Sequence, residues 1–287
     1  MEVAFASLNI IFSITAILGN VLILIALRKV TSIHPPTKLL FRCLAVSDIC
    51  VGIIAQPLFT VIHIDERMIY RSNFIIDIIL PCSSFILCGV SLLTSTAISV
   101  DRLLALLLGL RYRHVVTLRR VRALIIFCWF LVVASVGCVF FSGDFWLYGY
   151  IVLIFISLFI STISYAKIYF RLRQQLLHVR GHVRQQEQQL PPSGVVPTAL
   201  NVARYKKTVS AIVWVQLGLF ACYSPFCVIS MSNYLGVSFG VNVLYFSVSL
   251  LYLNSSLNPI LYCWKIREVT QAVKDTIREL KCCSESN

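Results

Sequence analysis

The chain has 287 residues, of which 58% are hydrophobic and only 13% are charged, and its formal net charge is +13. An ordinary soluble domain has about 25% charged residues, so this composition excludes one and indicates a membrane protein. In such a protein, the meaning of the positive charge depends on where it lies.

Seven stretches are long and apolar enough to cross a bilayer, which requires about 20 mostly apolar residues. In chain order they are Ala4–Leu27 (span 1), Leu39–Ile64 (span 2), Phe74–Leu108 (span 3), Val121–Phe141 (span 4), Trp146–Phe170 (span 5), Val209–Leu235 (span 6) and Val241–Trp264 (span 7). Most connectors are short, but the one between spans 5 and 6, Arg171–Thr208, is long. The pattern predicts an all-α membrane protein with a seven-transmembrane-helix bundle over residues 1–263.

The distribution of charge predicts the orientation in the membrane. The side of the N-terminus carries two Arg and five acidic residues, whereas the opposite side carries the other 23 Lys and Arg with six acidic residues, for net charges of −3 and +17. Positive residues favour the cytoplasmic side, so we expect an extracellular N-terminus and a cytoplasmic C-terminus in a multi-pass plasma-membrane protein. The positive charge is then a sign of the orientation in the membrane. The same residues can attract anionic lipid or a cytoplasmic protein, and we expect no nucleic acid partner.

A few polar residues interrupt the apolar spans. Asn20 lies in span 1, Asp48 in span 2, Ser91 in span 3, and Asn254 and Asn258 in span 7. Polar groups are costly in hydrocarbon, which makes these residues functional candidates. The alternative is a polar core that holds the helices together.

Several motifs occur in order along the spans. They are Gly19-Asn20-Val21, Leu44-Ala45-Val46-Ser47-Asp48, Asp101-Arg102-Leu103, Leu110-Arg111-Tyr112, Trp129, the span 6 residues Phe220, Cys222, Pro225 and Phe226, and Asn258-Pro259-Ile260-Leu261-Tyr262. Together they resemble the class A (rhodopsin-like) G-protein-coupled receptors over essentially the whole chain.

The resemblance implies two functional clusters and a heterotrimeric G protein as partner. A sodium pocket, with sodium as an allosteric ligand, would comprise Asp48, Ser91, Asn254, Ser255 and Asn258. An activation switch coupled to outward movement of span 6 would comprise Asp101, Arg102, Tyr165, Pro225, Pro259 and Tyr262.

The resemblance also implies an extracellular ligand pocket. Its candidate residues are Asp77, Ser84, Cys88, Tyr223, Phe226, Ser230 and Tyr252. Tyr252 stands where opsins have the retinal-linking Lys, so retinal is not expected, and no other covalent cofactor is implied. Ser84 replaces the Asp of amine receptors, and Ser230 replaces the Asn of adenosine receptors. These two replacements weaken the case for an amine or for adenosine as the ligand.

Departures from the common pattern place the chain among divergent members of the family. Asp77 replaces the usual disulfide Cys, Ser157 a Pro, Tyr223 a Trp and Gly109 a Pro. The departures resemble the group that joins melanocortin, adenosine, cannabinoid and lysophospholipid receptors. A melanocortin-like peptide, adenosine or another small molecule, or a lipid therefore remain open as the ligand.

The C-terminal segment, residues 264–287, predicts a membrane-surface helix and a cytoplasmic tail. Apolar residues recur every three or four positions over Trp264–Lys281, with basic residues between them. This pattern is typical of an amphipathic helix on the bilayer surface. Cys282 and Cys283 follow it and are candidates for S-palmitoylation.

Three other functions are alternatives to a signalling receptor. A seven-helix transporter or channel usually shows internal repeats, and none is evident. A receptor-like protein that no longer signals shares the same motifs. An intramembrane enzyme is not expected, because the spans contain no paired carboxylates, His cluster or Ser–His pair.

Overall fold

The computed structural model describes residues 2–64, 78–137, 145–187, 197–237, 239–265 and 270–278. Within these residues span 1 is the helix Glu2–Lys29, span 3 is Leu80–Leu108, span 4 is Leu118–Gly137, span 5 is Phe145–Glu187, span 6 is Pro197–Tyr234 and span 7 is Val241–Lys265. Span 2 has three parts, the helix Pro35–Cys50, a π-helical turn Val51–Ala55 and the helix Gln56–Ile64. The described part contains no strand, and the predicted all-α seven-helix class is confirmed.

Six of these helices are long and apolar enough to cross a membrane. Span 7 does not qualify, because the polar residues from Asn254 to Asn258 lower its mean hydropathy. Span 7 nevertheless packs against spans 1 and 6, and contacts between neighbouring helices close the ring from span 1 through span 7. Span 3 contacts spans 2, 4, 5 and 7, which makes it the central helix of the bundle.

The outer surface of the bundle is apolar. Phe130 on span 4 is 69% exposed and Phe159 on span 5 is 66% exposed. A soluble protein avoids such surfaces, whereas lipid chains cover them at no cost. The interior contains buried polar residues, among them Asp48, Ser91 and Asn254, beside large hydrophobic clusters.

Spans 5 and 6 continue into the segment that the sequence marked as the connector Arg171–Thr208. Span 5 extends to Glu187 and span 6 begins at Pro197. The added stretch of span 5 is rich in Arg, Gln and Leu, which favour helices, and Pro is well suited to a first helical position. Within the connector, Pro191-Pro192-Ser193-Gly194 predicts a break in any helix, and these residues lie outside the described part of the chain.

Two short helical turns follow span 3 in the connector to span 4. Gly109 begins a 3-10 turn, Gly109–Arg111, and the helix Tyr112–Val115 comes next. The φ of Gly109 is +51°, a conformation that glycine adopts readily. A proline, whose φ is fixed near about −65°, could not replace it, which explains the departure from the Pro that is common in the family.

The C-terminal helix is described for residues 270–278, within the predicted Trp264–Lys281. Ala272 and Thr276 are buried, and Ala272 packs with residues of spans 1 and 2. The expected apolar face is therefore partly replaced by small side chains that contact the bundle, while Ile277 stays 38% exposed. Cys282 and Cys283 lie outside the described residues, so their palmitoylation stays a prediction.

Candidate functional site

The Asp48 cluster joins spans 2, 3 and 7 in the middle of the bundle. Asp48 is fully buried. Ser91 Oγ donates to its Oδ1 at 2.8 Å, and Asn258 Nδ2 donates to its Oδ2 at 2.8 Å. The Ser255 side chain is buried close to this carboxyl group. Within the described part of the chain, no basic side chain contacts Asp48, so neutral donors alone satisfy it.

Asn254 and Asn20 extend this polar core on either side. Asn254 Nδ2 lies 3.5 Å from the hydroxyl of Tyr223 on span 6. Asn20 Nδ2 donates to the Ser255 carbonyl at 3.1 Å, which ties span 1 to span 7. Asn20 Oδ1 is buried and has no hydrogen-bond partner among the described residues. The five predicted pocket residues are thus all buried in one connected region.

The chemistry of this donor set fits a small hard cation. It offers one buried carboxylate and nearby hydroxyl oxygens from Ser91 and Ser255. Hard cations prefer such oxygen ligands. Burying a carboxylate without a basic partner is also energetically costly, and a bound cation would offset this cost.

A π-helical turn interrupts span 2 directly after Asp48. The turn displaces the usual backbone pairing, and Ser13 Oγ of span 1 donates to the Gly52 carbonyl at 2.7 Å. A Cβ at Gly52 would lie 2.8 Å from Ile17 Cγ1, so span 1 packs closely at this point. Such π turns are frequent at functional sites, and the sequence motifs did not reveal this one.

The Asp101–Arg102 switch lies near the C-terminal end of span 3, ten and eleven residues after Ser91. Arg102 Nη2 lies 2.7 Å and its Nε 3.2 Å from Asp101 Oδ2. Asp101 is 4% exposed, whereas the Arg102 side chain is 33% exposed. The pair therefore combines a buried anion with a cation that reaches the surface.

Two further side chains hold Asp101. The Tyr112 hydroxyl donates to Asp101 Oδ1, and Thr37 Oγ1 donates to Oδ2 at 3.0 Å. Thr37 and Tyr112 also lie 2.9 Å apart. The sequence motifs assign Tyr112 no separate role and do not include Thr37, because the contact between these two residues depends on the fold of the connector after span 3.

The remaining predicted switch residues are distributed over spans 5 to 7. Tyr165 is buried beside Leu103 and Ile168. Pro225 lies within the span 6 helix and Pro259 within span 7. Tyr262 is part of the span 7 helix, but its side chain lies outside the described residues.

A polar contact that the sequence did not indicate joins spans 5 and 6. Ser161 Oγ donates to Gln216 Oε1 at 2.9 Å, and Gln216 Nε2 donates to Thr162 Oγ1 at 2.8 Å. Gln216 precedes Pro225 by nine residues, so the contact lies in the half of span 6 that leads to the Asp101 end of the bundle. We call these three residues the span 5–6 clasp.

The candidate ligand pocket is a closed hydrogen-bonded and aromatic core. Ser84 Oγ lies 2.7 Å from the Tyr252 hydroxyl, and the Tyr223 hydroxyl donates to the Cys88 carbonyl at 3.1 Å. Phe226 packs against the aromatic rings of Phe85 and Tyr150. Ser230 is also buried, and Asp77 lies outside the described residues.

The fold and these two clusters define a seven-helix membrane receptor. Residues 19–146 match the family described as 7 transmembrane receptor (rhodopsin family). The chain is 27% identical to "Adenosine receptor A3" of Ovis aries and to that of Bos taurus, each alignment covering 99% of this chain and 93% of the relative. It is also 27% identical to "Adenosine receptor A3" of Canis lupus familiaris, over 100% of this chain and 94% of the relative.

The chain is similar to the class A (rhodopsin-like) G-protein-coupled receptors, and these matches support a place near the adenosine receptor group. It is a non-enzymatic signalling receptor of the plasma membrane, as its sequence motifs predicted. The family implies coupling to a G protein and an extracellular ligand.

Proposed function

We propose that this receptor, with its N-terminus outside and its C-terminus in the cytoplasm, transmits the binding of an extracellular ligand to heterotrimeric G proteins through Arg102. The observation that carries this proposal is the Asp101–Arg102 pair, in which a buried acid holds a cation that is one-third exposed. Release of Arg102 from Asp101 would present a positive side chain to a cytoplasmic partner. A ligand and a G protein can both bias such an equilibrium.

The release requires span 6 to move outward at its cytoplasmic end. Pro225 lacks a backbone N–H, so span 6 has one hydrogen bond fewer at this point and bends there at lower cost. The span 5–6 clasp resists the movement until activation. Tyr165 then turns toward the space that span 6 has left, together with Tyr262.

The experiment is a G-protein dissociation assay in cells that express the receptor, with each Gα class in turn. Adenosine and related nucleosides are tested first, followed by bioactive lipids and cationic peptides. We expect Arg102→Ala to abolish the response to an active compound at equal surface expression. Arg28→Ala, which removes an exposed Arg at the end of span 1, should preserve it. A response that survives in Arg102→Ala contradicts the role of Arg102.

For the ligand, we propose a neutral polar molecule, with a nucleoside as the first candidate. The polar groups that the described pocket residues offer are hydroxyls, from Ser84, Tyr223, Ser230 and Tyr252. Similarity to adenosine receptors supports the nucleoside, whereas Ser230 in place of their Asn argues for altered contacts to its base. A cationic peptide depends on Asp65, Glu66 and Asp77, which lie outside the described residues.

We further propose that sodium binds at Asp48, with oxygens from Ser91 and Ser255. The supporting observation is that Asp48 is fully buried without a basic partner in the described residues. When bound, the ion supplies the positive charge that this carboxylate lacks. A ligand that binds only the folded state raises its stability in proportion to the logarithm of its concentration.

Thermal unfolding of the purified receptor in NaCl and in KCl at equal ionic strength tests the sodium proposal. We expect a higher Tm in NaCl, by about 2–4 °C for each kcal/mol of binding. Ser91→Ala should reduce the difference and Asp48→Asn should remove it. Ser95→Ala is the control, because its buried hydroxyl lies on the same span and has no partner in the described residues. An equal NaCl effect in Asp48→Asn contradicts the proposal.

A further inference from the structure

A groove opens on the side of the bundle between spans 3 and 4. It has a volume of about 430 Å3, and Leu104, Leu124, Phe127 and Leu131 are among its apolar lining residues. Phe127 is 58% exposed and Leu124 is 41% exposed, so the groove belongs to the surface that the bundle turns toward lipid. Its volume falls within the range of about 300–1,000 Å3 that is usual for ligand sites.

One end of the groove is basic. Arg120 lines it, and Arg120 Nη1 donates to the carbonyl of Val115, another lining residue, at 2.7 Å. Four further arginines lie within nine residues of Arg120 in the sequence and are exposed, namely Arg111, Arg113, Arg119 and Arg122. The sequence has no acidic residue between Asp101 and Asp144, so nothing nearby in the chain neutralises these arginines.

Asp101 is the acidic residue of the lining, but it presents little negative charge to the groove. It is 4% exposed and is paired with Arg102. Hydrogen bonds from Thr37 and Tyr112 occupy it further. The groove therefore combines long apolar walls with a cationic end.

We infer that this groove binds an anionic phospholipid, with one acyl chain along the apolar walls and the phosphate at Arg120. An apolar groove that ends in arginines complements a lipid that has an apolar tail and an anionic headgroup. Basic residues at the membrane surface attract anionic lipid, and a long Arg side chain can extend from the apolar region to the phosphate. The inference rests on the proposed orientation, which places this end at the cytoplasmic leaflet.

Photolabelling of the purified receptor in phosphatidylcholine nanodiscs tests the site. The probe is a trace of phosphatidylserine that carries a diazirine on an acyl chain, and mass spectrometry locates the label. We expect labelled peptides from the groove segments of spans 3 and 4. The same diazirine on phosphatidylcholine should label them about fivefold less, as expected from loss of one favourable charge contact.

Two matched pairs of variants define the contacts. Leu124→Trp fills the groove and should abolish groove labelling, whereas Ile126→Trp, on an exposed site of the same helix outside the groove, should not. Arg120→Gln should lower labelling by phosphatidylserine to the level of phosphatidylcholine. Arg119→Gln removes the same charge from a neighbouring residue that does not line the groove and should preserve the difference. Thermal unfolding verifies that each variant is folded.

Three outcomes would overturn the inference. Equal labelling by the two phospholipid probes, unchanged in Arg120→Gln, excludes recognition of the anionic headgroup. Labelling that persists in Leu124→Trp places the lipid elsewhere. Stronger groove labelling by a photoreactive sterol identifies a different occupant. The assay uses no agonist and no G protein, and both leaflets of the nanodisc have the same lipid composition. A negative result would therefore not contradict the proposed signalling function.

Discussion

Three side chains converge on the carboxylate of Asp101. Arg102 pairs with it, Thr37 reaches it from the start of span 2, and Tyr112 reaches it from the connector after span 3. An acid with three partners holds its arginine in a defined position. We therefore interpret the Tyr112 hydroxyl as part of the resting arrangement.

Replacing Tyr112 with Phe tests this interpretation. The change removes one hydrogen bond to a charged group, which is worth about 1.5 kcal/mol or more, and leaves the ring in place. We expect basal G-protein activation to rise by up to about tenfold, because Asp101 then holds Arg102 less well. The effect is measured as nucleotide exchange by a G protein in the presence of the reconstituted receptor without a ligand. Tyr169→Phe, a phenol outside this cluster, serves as control, and unchanged basal activity in Tyr112→Phe refutes the role.

Motifs in the sequence identified most members of the two polar clusters but not their connections. The motifs contain Asp48 and Asn258, the family resemblance adds Ser91, and the structure brings these three residues within hydrogen-bond distance. Thr37 could not be named, since its contact with Asp101 spans 64 residues and depends on helix packing. Four of the candidate ligand-pocket residues, Cys88, Tyr223, Phe226 and Tyr252, are buried in one hydrophobic cluster, and their role in ligand binding stays a prediction.

At the scale of elements, the spans followed from hydropathy, whereas their irregularities did not. The π turn Val51–Ala55 in span 2 has no hydropathy signal, and the buried Gly52 carbonyl within it accepts a hydrogen bond from Ser13 of another helix. The C-terminal extension of span 5 is polar, so hydropathy alone predicts that this span ends at Phe170, 17 residues before the helix ends at Glu187. Local composition thus locates a membrane helix, and tertiary contacts shape it.

Span 1 packs against span 7 through Gly19. A Cβ at Gly19 would lie 2.8 Å from Pro259 Cγ, and the rigid proline ring cannot yield easily. Overpacking of this kind costs about 1–3 kcal/mol. We expect Gly19→Ala to lower the Tm of the purified receptor by about 2–4 °C per kcal/mol. Gly149→Ala, whose Cβ would have open space, should leave the Tm nearly unchanged, and equal effects of the two changes contradict close packing at Gly19.

The span 5–6 clasp gives span 6 a specific restraint. Gln216→Leu keeps the approximate size of the side chain and removes both hydrogen bonds to span 5. We expect basal G-protein activation to increase severalfold, because hydrogen bonds between membrane helices contribute about 0.6–2 kcal/mol. Ser224→Ala, whose hydroxyl bonds only within its own helix in the described contacts, is the control for basal nucleotide exchange. A decrease in basal activation would mean that the clasp supports the active state instead.

At the scale of the whole molecule, the two polar clusters share span 3. Ser91 binds Asp48 near the middle of the bundle, and Asp101 and Arg102 lie ten and eleven residues further along the same helix. Span 3 contacts four other spans, so a change of its position affects both clusters. The composition that first indicated only a membrane protein does not reveal this arrangement, in which one central helix links the two polar clusters.

The central claim is that this molecule activates a G protein through Arg102. Its most direct test mixes the purified receptor in nanodiscs with each class of heterotrimeric G protein and removes nucleotide enzymatically. We predict a stable nucleotide-free complex with at least one class, dissociated by a non-hydrolysable GTP analogue and absent for Arg102→Ala. A failure to form any complex, or a complex that forms equally with Arg102→Ala, would contradict the claim.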